Sequence, residues 1–185
     1  MYKELDELQL AGMCRSGDNR AADELYRRYA AKLFTLCRRY TSSMEDAEDL
    51  MQEAMIKALD KMALFTYQGK GSLYAWIRKI AINMALNNIR KTNISIVTTS
   101  QHLHDNVPDL SKEEMEHISP EQLLDMISKL PERQRAVFNL YCLDGYSHKE
   151  IGQMLGISEK GSAGELHKAR LQLKKAVYEK IGRDN

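Results

Sequence analysis

Apolar residues recur at helical spacing in separate stretches of this 185-residue chain. Residues 4–16 predict a first helix, ended by the Gly17-Asp18 turn. In the next stretch Ala22, Leu25, Tyr26, Tyr29, Leu33, Leu36 and Cys37 share a face, and Thr41-Ser42-Ser43 breaks the pattern. Tyr26 and Tyr29 belong with the core or a groove lining. Ser43, with Asp46 three residues on, is an acidic variant of the capping box and starts a third helix. Ala47, Leu50, Met51, Ala54, Met55 and Ala58 line its inner side. After a glycine-containing loop, 65–71, a fourth helix is expected from about Ser72 to Lys91. Leu73, Trp76, Ile77, Ile80, Ala81, Met84 and Ile89 give it a broad buried face. Four such helices suffice for one compact core.

From Thr92 to Ile118 the periodicity vanishes. Residues 93–100 are β-branched and polar, and 105–116 are acidic. A stretch of this length is long for the inside of a compact domain. The expected architecture is therefore all-α, with two small helical domains, 1–91 and 119–185, joined by a flexible linker, 92–118. Order returns at Ser119-Pro120-Glu121, where Ser caps and Pro occupies the first turn. Leu123, Leu124, Ile127 and Leu130 form one stripe. Pro131 restarts the chain into a helix bearing Val137, Leu140 and Tyr141. Asp144-Gly145 is a turn, Ser147 caps a short helix through Leu155, and Gly156 turns the chain into a final helix from Ser158 to about Ile181.

Composition agrees. Three prolines and ten glycines leave a chain of mostly good helix formers. The net charge of +1 hides an asymmetry: 15 basic and 12 acidic residues in 1–91, 1 and 5 in 92–118, 11 and 9 in 119–185. Two mildly basic halves suit nucleic-acid contact without establishing it. Cys14, Cys37 and Cys142 are widely spaced among apolar helical residues, the pattern of buried thiols in a reducing compartment. The five histidines form no metal-ligand cluster, His102 and His104 coming nearest, so no metal or cofactor is expected. The N-terminus lacks the apolar core of a signal peptide, and no apolar run reaches membrane-spanning length. A cytoplasmic protein without membrane insertion is expected.

Tyr146 to Ser158 has the spacing of a helix-turn-helix. Gly152 falls where the two helices cross, Gly156 permits the turn, and Ile151, Leu155 and Ile157 pack the angle. A bend between two core helices would show the same spacing. Lys168, Arg170, Lys174 and Lys175 give the later turns a positive surface suited to phosphate.

The surrounding residues say more. Leu130-Pro-Glu-Arg-Gln-Arg-Ala-Val-Phe138, Leu143-Asp-Gly-Tyr-Ser-His-Lys-Glu-Ile151 and Leu166-His-Lys-Ala-Arg170 resemble region four of bacterial sigma factors, over roughly 119–178. The resemblance implies recognition of a −35 promoter element through Ser147, Lys149, Ser158, Lys160, Ser162, His167, Lys168, Arg170 and Lys174. The front of the recognition helix departs from the pattern. Ser162 stands in place of the usual apolar anchor. Gly161 and Gly164 each cost a helix up to ~1 kcal/mol relative to Ala, and Glu165 would repel phosphate.

In the N-terminal half, Asp46-Ala-Glu-Asp-Leu-Met-Gln-Glu53 is similar to the region-two sequence that docks sigma factors on RNA polymerase. That resemblance implies a docking face of Glu45, Glu48, Asp49, Gln52 and Glu53; alone, such a face is what any solvated helix shows. Tyr74-Ala-Trp-Ile-Arg-Lys-Ile-Ala-Ile-Asn-Met-Ala85 and Asn87-Asn-Ile-Arg-Lys91 look like the part of region two that opens the −10 element. Capturing an unstacked strand needs aromatic rings, amides and cations. Tyr67, Arg78, Lys79, Asn83, Asn87, Arg90 and Lys91 supply them. Trp76 sits among apolar neighbours and is assigned to the core instead.

Together the halves resemble an extracytoplasmic-function sigma factor, the minimal class with regions two and four alone. The resemblance implies a transcription initiation factor that binds core RNA polymerase, recognises −35 and −10 promoter DNA and aids melting. It implies no enzymatic activity and no small-molecule substrate, and an anti-sigma factor as a further partner. The linker would thread into the polymerase, with Asp105, Asp109, Glu113, Glu114 and Glu116 mimicking nucleic acid. Two other readings stay open on the residues: a conventional operator-binding regulator, and a degenerate relative that docks without specifying promoters.

Overall fold

The computed structural model describes residues 2–92 and 118–182. The expected linker lies almost wholly outside the described residues, with its five acidic side chains, His102 and His104. The described elements are helical throughout. After a 3-10 turn at Tyr2–Glu4 come α1 (Glu7–Arg15), α2 (Asn19–Tyr40), α3 (Met44–Asp60), a 3-10 turn at Met62–Leu64, and α4 (Ser72–Thr92). Then follow α5 (Pro120–Ser128), α6 (Glu132–Phe138), a π-helical turn at Asn139–Leu143, α7 (His148–Leu155) and α8 (Glu159–Ile181). The chain divides into two compact units, Met1–Ala85 and Leu86–Asn185, the division falling inside α4.

Short polar side chains set most helix starts. Asp6 accepts from the Gln9 N–H at 2.7 Å while Gln9 Oε1 accepts from the Asp6 N–H at 3.1 Å, a reciprocal box that begins α1 at Glu7 rather than at residue 4. Asp18 caps α2, and Ser43 accepts from the Asp46 N–H at 3.0 Å to cap α3. Ser119 forms a full box with Gln122, and Pro120 takes the first helical position of α5.

In the first unit α1, α2, α3 and α4 bury Leu10, Leu25, Leu33, Leu73 and Ile77 almost completely. The buried face of α4 is rotated from the expected one, because Ile82, Ala85 and Leu86 are buried while Trp76, Ile80 and Met84 are only half-buried. Tyr26, expected in the core or lining a groove, is 47% exposed and so not part of the core. It follows the buried pair Glu24 and Leu25 onto the outer side of α2. In the second unit Ile127 of α5 and Leu130, just past its end, pack with Ala169 and Leu173 of α8. The π-helical turn lacks a sequence signal. Its Asp144 N–H donates back to the Asn139 carbonyl at 3.0 Å, and the extra residue rotates Tyr141, Cys142 and Leu143 outward. Cys142 is therefore exposed, against expectation, whereas Cys14 and Cys37 are buried as free thiols.

Glu24, 5% exposed, carries the main buried charge of the first unit. It accepts from Arg27 at 2.6 and 2.7 Å and from Arg28 Nε at 2.6 Å. Arg28 in turn donates to the Leu5 and Tyr2 carbonyls at 2.7 and 2.8 Å, so the network ties the N-terminal segment to α2. Hydrogen bonds from Arg27 and then Arg28 hold the Glu24 carboxyl down to about 2. Folding thus favours the charged form. The contribution is present above the ordinary carboxylate value of 4.5 and fades as pH falls toward about 2. In acid titrations followed by circular dichroism, Glu24→Gln should flatten the loss of stability in that window. A variant with the parent's pH profile would contradict the assignment.

Candidate nucleic-acid interface

The loop between the second 3-10 turn and α4 is fixed at both ends by α1. At its start Arg15 donates to the Met62 carbonyl at 3.4 Å and to the Phe65 carbonyl at 3.0 Å. At its end Glu7 Oε2 accepts from the N–H groups of Gly71 and Leu73 at 2.9 and 3.1 Å. Gly71 has φ +92, which excludes a capping side chain at this helix start. The oxygen that satisfies the first turn of α4 comes instead from 64 residues earlier in the chain. Glu7 Oε1 also accepts from the Tyr29 hydroxyl at 3.1 Å, and the Tyr29 ring stacks on Tyr74 of α4 at 5.6 Å. Burial first, and then the Glu7 charge, push the Tyr29 hydroxyl up to about 12. Neither Glu7 nor Arg15 has a local sequence signal, since their partners are distant.

That frame presents the expected strand-reading groups. Tyr67 stands on the loop, 39% exposed. Lys79 and Asn83, one turn apart on α4, are both exposed, and Asn87 and Arg90 are exposed further along the same helix, with Arg90 donating to Asn87. Arg78 is half-buried, and the Lys91 side chain lies outside the described residues. Trp76 packs on Phe65 with ring centroids 5.5 Å apart, half-buried rather than fully in the core. On α3, Glu45, Glu48, Asp49, Gln52 and Glu53 are all exposed, opposite the buried Ala47, Leu50, Met51, Ala54 and Met55.

In the second unit the helix-turn-helix is α7, the turn at Gly156 and α8. Ser147 and Glu150 make a capping box at α7, and Gly156 ends it at φ 69, ψ 34. Ser158 caps α8, accepting from the Gly161 N–H at 2.9 Å. A Cβ on Gly152 would lie 2.7 Å from the Ile157 carbonyl oxygen, so the crossing requires glycine there. A Cβ on Gly161 would come within 3.1 Å of the capping Ser158 hydroxyl, whereas at Gly164 it would meet nothing within 4 Å. The helix runs unbroken through both glycines.

Ser162 requires a correction. It is 0% exposed and its hydroxyl lies 3.0 Å from His148 Nδ1, so it anchors α8 on α7 and is no base-edge contact. His148 stacks on Tyr141 at 4.3 Å. Burial lowers the His148 pKa; the nearby Glu159 charge opposes that shift and the Arg170 charge adds to it. The serine in the apolar anchor's position therefore has a polar partner. Glu165 is likewise drawn aside, pairing with Lys168 at 3.3 Å with 12% of its side chain exposed. Lys149, Ser158, Lys160 and Arg170 are exposed, as is Ser147. His167, Lys168 and Lys174 are half-buried, Lys174 sitting 5.4 Å over the Tyr178 ring.

Two helical units, one with a helix-turn-helix and one with a polar-faced helix beside an aromatic loop, define a DNA-binding class of protein. Residues 25–94 match the Sigma-70 region 2 family and residues 120–173 match Sigma-70, region 4. The chain is 28% identical to the ECF RNA polymerase sigma factor SigM of Mycobacterium tuberculosis, over 92% of this chain and 84% of that protein. It is 29% identical to the ECF RNA polymerase sigma-E factor of Haemophilus influenzae, over 84% and 86%. Against the RNA polymerase sigma-H factor of Pseudomonas aeruginosa the identity is 27% over 96% of each. The chain belongs to the sigma-70 family, as an extracytoplasmic-function sigma factor. It is a promoter-directing transcription initiation factor and not an enzyme.

The two glycines make opposite predictions in thermal unfolding. Gly164→Ala should stabilise the second unit by up to about 1 kcal/mol, through helix propensity alone. Gly152→Ala should destabilise it by about 1–3 kcal/mol, because the crossing must open to admit the methyl group. Equal effects of the two would refute the close-approach account.

Proposed function

We propose that the chain divides its work at a linker over 92–118. In this reading the domain 1–91 docks on core RNA polymerase and captures the −10 strand, and 119–185 grips the −35 duplex. The observation that carries it is the arrangement of α4, whose exposed Lys79 and Asn83 stand on the helix that follows the Tyr67 loop. A ring on the loop, with amides and cations on the helix that follows, suits bases that have left the stack. The exposed acidic face of α3 supports a docking role for Glu45, Glu48, Asp49, Gln52 and Glu53, since a charged rim gives steering and orientation. Lys149, Lys160 and Arg170 are the foremost −35 candidates of the second domain, and Ser147 and Ser158 stand at the two helix starts. His167, Lys168 and Lys174 are flanking contacts. Family membership further supports an anti-sigma partner and action in the cytoplasm. Among the described residues no helix is long and apolar enough to cross a membrane.

Run-off transcription with core polymerase on a promoter library tests the reading, and failure to bind core would overturn it. Asp49→Ala should weaken core binding, measured by fluorescence anisotropy. Asn83→Ala should leave core binding intact and impair open-complex formation, read by permanganate reactivity. Loss of both together would contradict the role given to Asn83.

For Arg170→Ala, duplex binding should weaken and the slope of log affinity against log salt should fall by about 1. An unchanged slope removes Arg170 from the phosphate contacts.

A further inference from the structure

The −10 reading leaves unexplained how a loop with two positive-φ glycines, Gly69 at 107° and Gly71 at 92°, holds one shape. Glycines leave a backbone many alternatives, and an aromatic reader on such a loop would lose affinity to conformational entropy on each capture. The loop's own bonds are few. The Gln68 N–H donates to Ser72 Oγ at 3.2 Å, and the Ser72 N–H to the Gly69 carbonyl at 3.1 Å. The remaining anchorage is supplied by α1. Arg15, in its last turn, holds the carbonyls at the loop's start, and Glu7, in its first turn, holds the N–H groups at its end. Two residues eight apart on a helix are separated by about 12 Å along its axis. The spacing makes α1 a splint across the loop.

We propose that Glu7 is a positioning residue for −10 strand capture, acting through the loop that carries Tyr67 and through the first turn of α4. This rests on the strand-capturing role given to that loop above. Glu7 itself touches no base. Its carboxylate takes the place of the missing capping side chain at Gly71, and negative charge there also complements the positive end of the α4 dipole. Its second oxygen, bonded to Tyr29, fixes the direction from which the first approaches. Glutamine has the length and one acceptor oxygen for the two N–H groups, and its amide can donate to the Tyr29 oxygen. Alanine has neither.

The test uses the full chain assembled with core polymerase and a short fluorescent single strand, selected from a random pool by the parent holoenzyme. Glu7→Ala should weaken capture of that strand by roughly 10-fold or more, the size expected for losing charge-assisted hydrogen bonds. Core affinity should change less than about twofold, a small effect on this scale. Glu7→Gln should recover most of the loss. In a double-mutant cycle with Tyr67→Ala, the Glu7→Ala effect should largely disappear once Tyr67 is gone. Amide exchange at Gly71 and Leu73 should speed up in Glu7→Ala while exchange in the α2 core does not, separating a local release from a failure to fold.

The outcomes divide cleanly. If Tyr67→Ala leaves capture unchanged, the strand-reading role of the loop fails and the Glu7 proposal falls with it. If Tyr67→Ala weakens capture but Glu7→Ala does not, or the two effects simply add, the loop reading stands and the Glu7 proposal is overturned. A proportional fall in core binding and capture, with fast exchange throughout, would make Glu7 a general stability residue and overturn it as well.

Discussion

The first unit turns on one carboxylate. Glu7 accepts hydrogen bonds from Tyr29 of α2 and from the Gly71 and Leu73 amides at the head of α4, and so links α1, α2 and α4 at a single group. A helix start leaves backbone donors that need partners, and most helices meet them with the residue at the cap itself. Here the cap position is a glycine whose backbone geometry forbids the usual solution. The fold therefore closes the helix start with a side chain from the other end of the unit. Packing of Leu10, Leu25, Leu33, Leu73 and Ile77 brings the elements together, but hydrophobic contact is indifferent to direction. The carboxylate and the Arg15 guanidinium set the path of the chain between them.

The second unit solves the same problem locally. Ser119, Ser147 and Ser158 each cap the helix they precede, and the long α8 is aligned by two contacts with α7. One is the absence of a side chain at Gly152, which lets the backbone of Ile157 approach. The other is the contact of the half-buried His148 with the buried Ser162. A hydroxyl and an imidazole within hydrogen-bonding distance satisfy each other away from water, so a polar anchor serves where an apolar one is usual. The lowered pKa of His148 belongs to the same arrangement, since partial burial of the ring disfavours its charged form.

What the sequence revealed follows the range of each interaction. Helix existence and most starts are legible, because Ser43, Ser119-Pro120, Ser147 and Gly156 act within a few residues of themselves. The crossing at Gly152 was legible through its spacing from Gly156. The exposure of Tyr26 and Cys142 is hidden for a different reason: helical spacing names a face, but neither the buried turn of Glu24 and Leu25 nor the π-helical turn at Asn139–Leu143 announces itself. The polar anchoring role of Ser162 has no local signal, because its partner lies 14 residues away. Glu7 was invisible for the same reason at greater distance. The candidate site was thus half legible, its exposed side chains more so than the groups that hold them in place.

The charge distribution gives the architecture its logic. On α8, Lys168 is paired with Glu165, Lys174 lies over Tyr178, and Lys175 sits 3.8 Å from Glu179, which leaves a modest positive field. Phosphate contacts dominate non-specific affinity for DNA, and lysines paired within their own helix keep that term weak. An initiation factor gains from that weakness. Two modest contacts on one chain reinforce each other only when both partners are in place, because the second becomes intramolecular at high effective concentration. Strong charge on either unit would favour DNA at large over the promoter held by the polymerase. On the reading proposed above, selectivity rests on how rigidly each reading group is presented, which is the part given to α1 through Glu7 and Arg15.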